Sequence, residues 1–253
     1  MVLIEELNSH RAEELIGKID TVLLPVGTLE AHGPHCSVMS DVLIPTRICE
    51  DVEKLAGERV FIAPVIPFGH TWHLKDKPGS HDVPYTPFSD YVYHVLKGFL
   101  AWKVKYAVIM NGHGGNIQAL HYAAERASDA GVKTVVLSWW AGGFADAIKG
   151  IVQDVDGHAG ESETSFLWFV GDKYVDQSLI PKEPHMISFD EGRTAASFMD
   201  TYDENINRAA FPKAYSGNPA AATKEKGRRM NEIIAKGIVD VIDALRAGTI
   251  ANQ

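Results

Sequence analysis

The sequence predicts an α/β fold built on a mainly parallel, doubly wound sheet, and three observations carry that prediction. Strand-length apolar runs rich in β-branched residues recur along the chain. They are continuously apolar rather than alternating, as parallel strands covered by helices on both faces are. Segments with apolar residues at helical spacing stand between them, and a β-α-β-α order of this kind winds helices onto both sides of one sheet.

In chain order, the predicted strands are TVLLPV at 21–26, VFIAPVI at 60–66, YAVIM at 106–110 and KTVVLSW at 133–139. The intervening helical patterns cover 41–56, 87–103 and 116–131, with Asp41, Ser89 and Asn116 as their predicted N-caps. A long amphipathic helix closes the chain, entered at Thr223 and stopped at Gly248. Residues 171–222 carry little periodic signal and read as loops with short elements. No repeat, low-complexity tract or linker divides the sequence, so 1–253 reads as one domain.

Composition limits the function. At 253 residues, 45% hydrophobic and 23% charged, the chain is long enough to bury one large core. Its net charge of −9 argues against a nucleic-acid backbone or an anionic membrane surface as the main partner, leaving a small molecule as the expected one. No apolar run approaches the ~18 residues of a membrane span, and the first residues lack a signal-peptide pattern. The expected location is the cytoplasm. Cys36, in a loop, and Cys49, in a helical pattern, read as inert thiols.

Chemistry-bearing residues gather at one edge. In an open parallel sheet, ligands bind beyond the carboxyl ends of the strands. GTLEAHGPH follows the first strand, NGHGGN the third and SWWAGG the fourth, so topology brings Glu30, His32, Asp41 and His113 together. Imidazole with carboxylate suits zinc, manganese or iron, whereas a thiolate set would indicate a structural zinc. Asp41 has two oxygens and can bridge two ions. Gly33, Gly112, Gly114 and Gly115 allow the backbone close approach. Taken singly, these residues have plainer roles: Glu30 as a loop cap, Asp41 as an N-cap, and His94 and His121 as ordinary helix residues. A dinucleotide loop is excluded at NGHGGN, because Ile117 stands where the third glycine belongs. DGHAGESETS adds His158, Glu161 and Glu163 at a helix start, where acids also favour the helix dipole.

Together LPVGTLEAHGPH, SDVLIP, FGHTWH with KPGS, NGHGGN, HAGESETS and GNPAAATKEKG resemble the creatininase (creatinine amidohydrolase) family, from about residue 20 to about residue 230. The resemblance implies a three-layer α/β/α sandwich and a metal-dependent hydrolase of non-peptide carbon–nitrogen bonds. It also implies two divalent ions, Zn2+ first with Mn2+ or Fe2+ as alternatives. Glu30 and His113 resemble ligands of one ion, His32 a ligand of the other, and Asp41 the bridge. Where creatininase carries a Tyr-Glu pair that completes the second site, this chain has Gly114 and Gly115, and Glu163 is the expected substitute. Two ions roughly 3.5–4 Å apart lower the pKa of water towards ~7. His158 resembles the proton-transferring histidine, and His73 and Trp140 resemble substrate-contacting residues, Trp140 having a core role as its alternative.

The two glycines, and Asp154 where creatininase has a pocket tryptophan, turn the expectation away from creatinine itself. Relatives in the family hydrolyse a formylaminopyrimidine nucleotide, a modified peptide or a cyclic sugar derivative, and Lys75 and Lys77 could receive an anionic group. The reading from another class is a metal-dependent binding protein without turnover. The family resemblance implies a homo-oligomer, commonly a hexamer.

Overall fold

Alternate residues of the central strands are apolar on both faces, and this decides the architecture. In β1 (Thr21–Val26), Val22, Leu24 and Val26 enter one core while Leu23 enters another. In β3 (Tyr106–Asn111), Ala107 and Ile109 follow the first set, Val108 and Met110 the second. A strand with no polar face must be covered twice. The computed structural model describes residues 2–153, 156–185, 188–189, 193–194 and 211–249. Within them β2 (Phe61–Ile62), β1, β3 and β4 (Lys133–Ser138) form a parallel sheet in the order β2-β1-β3-β4.

The first core lies under α3 (Tyr85–Gly98) and α4 (Ile117–Asp129), with Leu15 of α1 (Ser9–Leu15) at its edge. The second lies under α2 (Ser40–Ala56), α6 (Glu161–Val170) and α7 (Lys224–Ala247), with Ile148 of α5 (Gly143–Lys149) joining it. The result is the three-layer α/β/α arrangement. Among the described residues no helix is long and apolar enough to cross a membrane.

Several local expectations need correction. The strand expected over 60–66 is a ladder only at Phe61 and Ile62 and is interrupted at Pro64, which has no N–H for a ladder; Ala63 N–H donates to the Leu23 carbonyl, and Ile66 rejoins β1 as an isolated parallel bridge with Val26. β4 is a half-exposed edge rather than a buried strand. Helix α3 begins at Tyr85 behind Pro84, so Ser89 is buried inside it, and its predicted end is a 3-10 turn, Phe99–Trp102. Asp41 is not an N-cap: Met39 holds that position without a side-chain bond, and Asp41 lies in the first turn. Asn116 does precede α4, but its side chain bonds elsewhere. Thr223 accepts from the Lys226 N–H, and Gly248 closes α7 in the left-handed conformation, as expected. Asp154 and much of 171–222 lie outside the described residues; the described part carries 3-10 turns and a short pair, Ser188–Phe189 with Arg193–Thr194.

Candidate metal centre

The loop after β1 is closed on itself. Glu30 N–H donates to the Val38 carbonyl at 3.0 Å, and His32 Nδ1 lies 2.9 Å from the carbonyl of Glu30. A carbonyl only accepts, so Nδ1 carries a proton and Nε2 is turned inward. There Nε2 lies 3.0 Å from Asp41 Oδ1 and 3.5 Å from Glu163 Oε2.

Asp41 is placed by what surrounds its own carbonyl. Pro45, one turn later, has no N–H to offer that carbonyl. Gly27 and Gly112, at the ends of β1 and β3, close on it: a Cβ would stand 2.3 Å away at Gly27 and 2.0 Å away at Gly112. Only glycines let the start of α2 sit on the strand ends. That seating brings Asp41 Oδ2 within 2.9 Å of His113 Nδ1.

His113 is held from β3. The Asn111 side chain accepts from the His113 N–H at 3.1 Å and donates to the His113 carbonyl at 2.8 Å, folding the NGH turn tightly. His113 Nδ1 then lies 3.5 Å from Glu30 Oε2. Asn116 donates to the Gly27 carbonyl and accepts from the His70 N–H, joining the three loops.

From the opposite side, α6 supplies Glu163. Ala159 takes a positive φ of 49°, and its N–H donates to Glu163 Oε2 at 2.5 Å, so this acid both ties down the helix entrance and faces His32. His158 Nε2 lies 2.8 Å from the Ala31 carbonyl and must donate to it; Nδ1 faces Glu30 Oε2 at 3.7 Å and Glu163 Oε2 at 4.0 Å. Ser216 fixes the His158 backbone, accepting from its N–H and donating its own N–H to its carbonyl.

Three donor sets result: Glu30, Asp41 and His113; His32, Asp41 and Glu163; and Glu30, His32 and His158. Within each set the ligand atoms lie within 4.8 Å of one another. The fit to divalent ions rests on two atoms. His32 Nε2 and Asp41 Oδ2 are buried and close no hydrogen bond of acceptable geometry, although charged partners stand beside them. Buried polar atoms left so are exceptional, and an oxygen–imidazole set is what zinc, manganese and iron take.

The electrostatics match. Burial lowers the His32 pKa, but Asp41, Glu163 and Glu30 override it and raise the ring to about 10. His113 is raised likewise to about 9, against burial, by Glu30 and Asp41. Asp41 is held well below the usual carboxylate range by His32 and His113, against its burial. Burial raises Glu163 to about 7, with Asp41 adding to the rise against the pull of His32. Burial and the His32 ring push His158 down to about 4. Without ions, the Asp41 carboxylate lies between two protonated rings, His32 and His113.

The structure thus brings together Glu30, His32, Asp41, His113, His158 and Glu163. Glu161 turns away: it pairs with Lys226 at 2.6 Å and accepts from the Gln153 N–H. Trp140 packs edge-on to Trp139 against the second core, and His73 sits beside Trp72 on the 3-10 turn Trp72–Leu74. The positioning side chains Asn111, Thr71 and Ser216 escaped the sequence reading, and Asn116 entered it only as a helix cap. Asn111 and Thr71 lie in motifs read for their histidines and glycines; Ser216 precedes GNP and carries no local signal. Cys36 is pushed to about 12 by burial and Cys49 also well up, so neither is a thiolate near neutrality.

Comparison with known proteins gives a consistent set. The creatininase (creatinine amidohydrolase) family model matches residues 5–242. The chain is 28% identical over 269 residues to the creatinine amidohydrolase of Pseudomonas putida, covering 95% of this chain and 96% of that one. It is 26% identical to the mycofactocin precursor peptide peptidase of Mycolicibacterium smegmatis, with 93% and 90% covered. With the 3-dehydro-scyllo-inosose hydrolase of Thermotoga maritima it shares 24% identity, with 98% and 86% covered. Among solved structures, a manganese form of creatininase superposes with a TM-score of 0.80 at 25% identity, covering 95% of this chain and 97% of that one.

Proposed function

The chain belongs to the creatininase family, and from that premise we propose that it is a two-metal hydrolase opening a non-peptide carbon–nitrogen bond, a cyclic amide or formamide, in a small molecule. The observation that carries this reading is the divided carboxylate of Asp41, with Oδ1 3.0 Å from His32 Nε2 and Oδ2 2.9 Å from His113 Nδ1. Asp41 would serve both ions, with Glu30 and His113 holding one and His32 and Glu163 the other. The donor set suits Zn2+, and Mn2+ or Fe2+ take the same atoms. Bound there, the ions supply an activated water near neutral pH and polarise the scissile carbonyl.

His158 handles the proton. Its Nε2–H is committed to Ala31, so exchange takes place at Nδ1, on the side of Glu30 and Glu163. Neutral at the outset, His158 would take a proton from the attacking water at Nδ1 and give it to the leaving nitrogen. His73 and Trp140 are assigned to the substrate-contacting wall.

Creatinine is not the favoured substrate. Position 115 has no room for the second-site acid of creatininase, since a Cβ there would meet the His70 carbonyl at 2.3 Å, whereas Gly114 faces open space. The test is a panel of creatinine, cyclic ureides, formylaminopyrimidines and short peptides, assayed with metal-replete protein beside Asp41→Ala as the blank. Weak creatinine turnover and stronger turnover of another amide are expected. Efficient creatinine hydrolysis would overturn the specificity while leaving the chemistry, and cleavage of peptides alone would place the protein with the peptide hydrolases among its relatives. No turnover of any amide would leave a metal-dependent binding protein. A cytoplasmic homo-oligomer, hexameric by resemblance, completes the proposal.

A further inference from the structure

The segment from 66 to 83 lies against the Glu30 loop on both sides. Gly69 N–H donates to Thr28 Oγ1 at 3.2 Å and His70 N–H to Asn116 Oδ1 at 2.8 Å; farther on, His81 N–H donates to the Leu29 carbonyl at 2.9 Å and Ser80 Oγ accepts from the Ala31 N–H at 2.9 Å. Between these anchors sits Thr71, 1% exposed. Its N–H donates to Asp82 Oδ1 at 2.8 Å, and its hydroxyl donates to Glu30 Oε1. Asp82 is in turn 3.0 Å from His70 Nδ1, which fixes the turn from a second direction.

We propose that Thr71 is a positioning residue that commits one oxygen of Glu30 and so makes Glu30 a one-oxygen ligand of fixed orientation; the inference rests on the metal-centre reading above. The geometry carries it. Oε1 is taken by the Thr71 hydroxyl, and it is Oε2 that faces His113 Nδ1 at 3.5 Å and His158 Nδ1 at 3.7 Å. The terminal torsion of a glutamate is broad, so a carboxylate without this anchor swings both oxygens through the site. A hydrogen bond to a charged acceptor is worth more than a neutral one, and its donor here needs no ordering, because the β-branched side chain is stiff and its backbone is clamped by Asp82. Thr71 touches only Glu30 among the proposed ligands in the contacts described, so its influence falls on the ion that Glu30 shares with His113, not on the ion of His32 and Glu163.

That asymmetry sets the experiment. Wild type, Thr71→Val and Thr71→Ser are titrated with Mn2+, free ion being read by electron paramagnetic resonance, with thermal unfolding in chelator measured alongside. In Thr71→Val, one ion should bind about 10–100-fold more weakly, the usual effect of losing an outer-shell partner, and the other as in wild type. Thr71→Ser should restore both. If Thr71→Val does not fold, Thr71→Ala replaces it, with the same split expected. Two ions bound as in wild type, or both weakened in step with lost thermal stability, would overturn the inference and leave the hydroxyl as a partner for a buried acid only. A wild-type protein that takes up no Mn2+ would overturn the metal centre itself, and this inference with it.

Discussion

Asp41 Oδ1 stands 3.0 Å from His32 Nε2, and that nitrogen, fully buried, closes no hydrogen bond. The two atoms are placed as neighbours around a common point. If that point is an ion, Asp41→Asn should empty the centre, because one residue serves both donor sets. Elemental analysis should fall from about two ions per chain to near none, with the circular dichroism of the fold retained. Full metal retention would remove Asp41 from the centre.

Glu163 has two tasks that one substitution separates. Glu163→Gln can still accept from the Ala159 N–H, now at 2.5 Å, but no longer offers a charge to His32. One ion of the two should be lost while melting of the metal-free protein changes little. Retention of both ions would reduce Glu163 to an anchor of the helix entrance.

His158→Asn should lower turnover by about 10²–10⁴-fold with metal content unchanged, the range of a general acid–base group. The Nε2 bond to Ala31 is not what is tested; Nδ1 is. Equal losses of metal and rate would instead make His158 a ligand, as its grouping with Glu30 and His32 allows geometrically.

Metal uptake should expel protons. In the metal-free protein His32 and His113 are raised to about 10 and about 9, against burial, by the neighbouring carboxylates, so both rings are charged at neutral pH. Folded values above the unfolded one stabilise the metal-free fold fully below about pH 6.5, and that contribution is lost as pH rises through 9 to 10. Ligation needs the bare lone pairs, so affinity should climb through the same range. Calorimetry of Mn2+ binding in buffers of different ionisation heat would detect the released protons; an identical heat in every buffer would contradict the assignment.

Lys226→Met should destabilise the protein by about 3–5 kcal/mol, because it removes the cation paired with a buried carboxylate. Glu161 is fully buried, and Lys226 Nζ lies 2.6 Å from it and 2.8 Å from the Ala221 carbonyl. Denaturant unfolding of both forms measures the difference, and a change under 1 kcal/mol, about the value of an exposed pair, would count against the role assigned to this pair.

How much of this was legible in the sequence depended on the range of each interaction. The runs at 21–26 and 106–110 are apolar on both faces, and that pattern alone requires covering on both sides. The strand expected over 60–66 fell short for a reason also present in the sequence, Pro64. The caps divided by locality. Thr223 and Gly248 act within their own turn and were readable; Asp41 and Asn116 have cap-type side chains recruited by residues far along the chain.

The layered fold, and the edge of the sheet at which Glu30, His32, Asp41 and His113 meet, can be read off the chain, since both follow from local periodicity and strand order. Local periodicity leaves open which acid of HAGESETS faces that edge; the family resemblance points to Glu163, and tertiary packing is what turns that acid to His32. Glu161 and Glu163 are two positions apart on α6, roughly 200° around the helix, so they cannot face the same way. Packing α6 against α7 gives Glu161 to Lys226 and turns Glu163 to His32. The same holds for Thr71 and Glu30, joined across 41 positions of sequence: a side-chain bond of that span leaves no periodic trace and exists only once the sheet has brought the loops together.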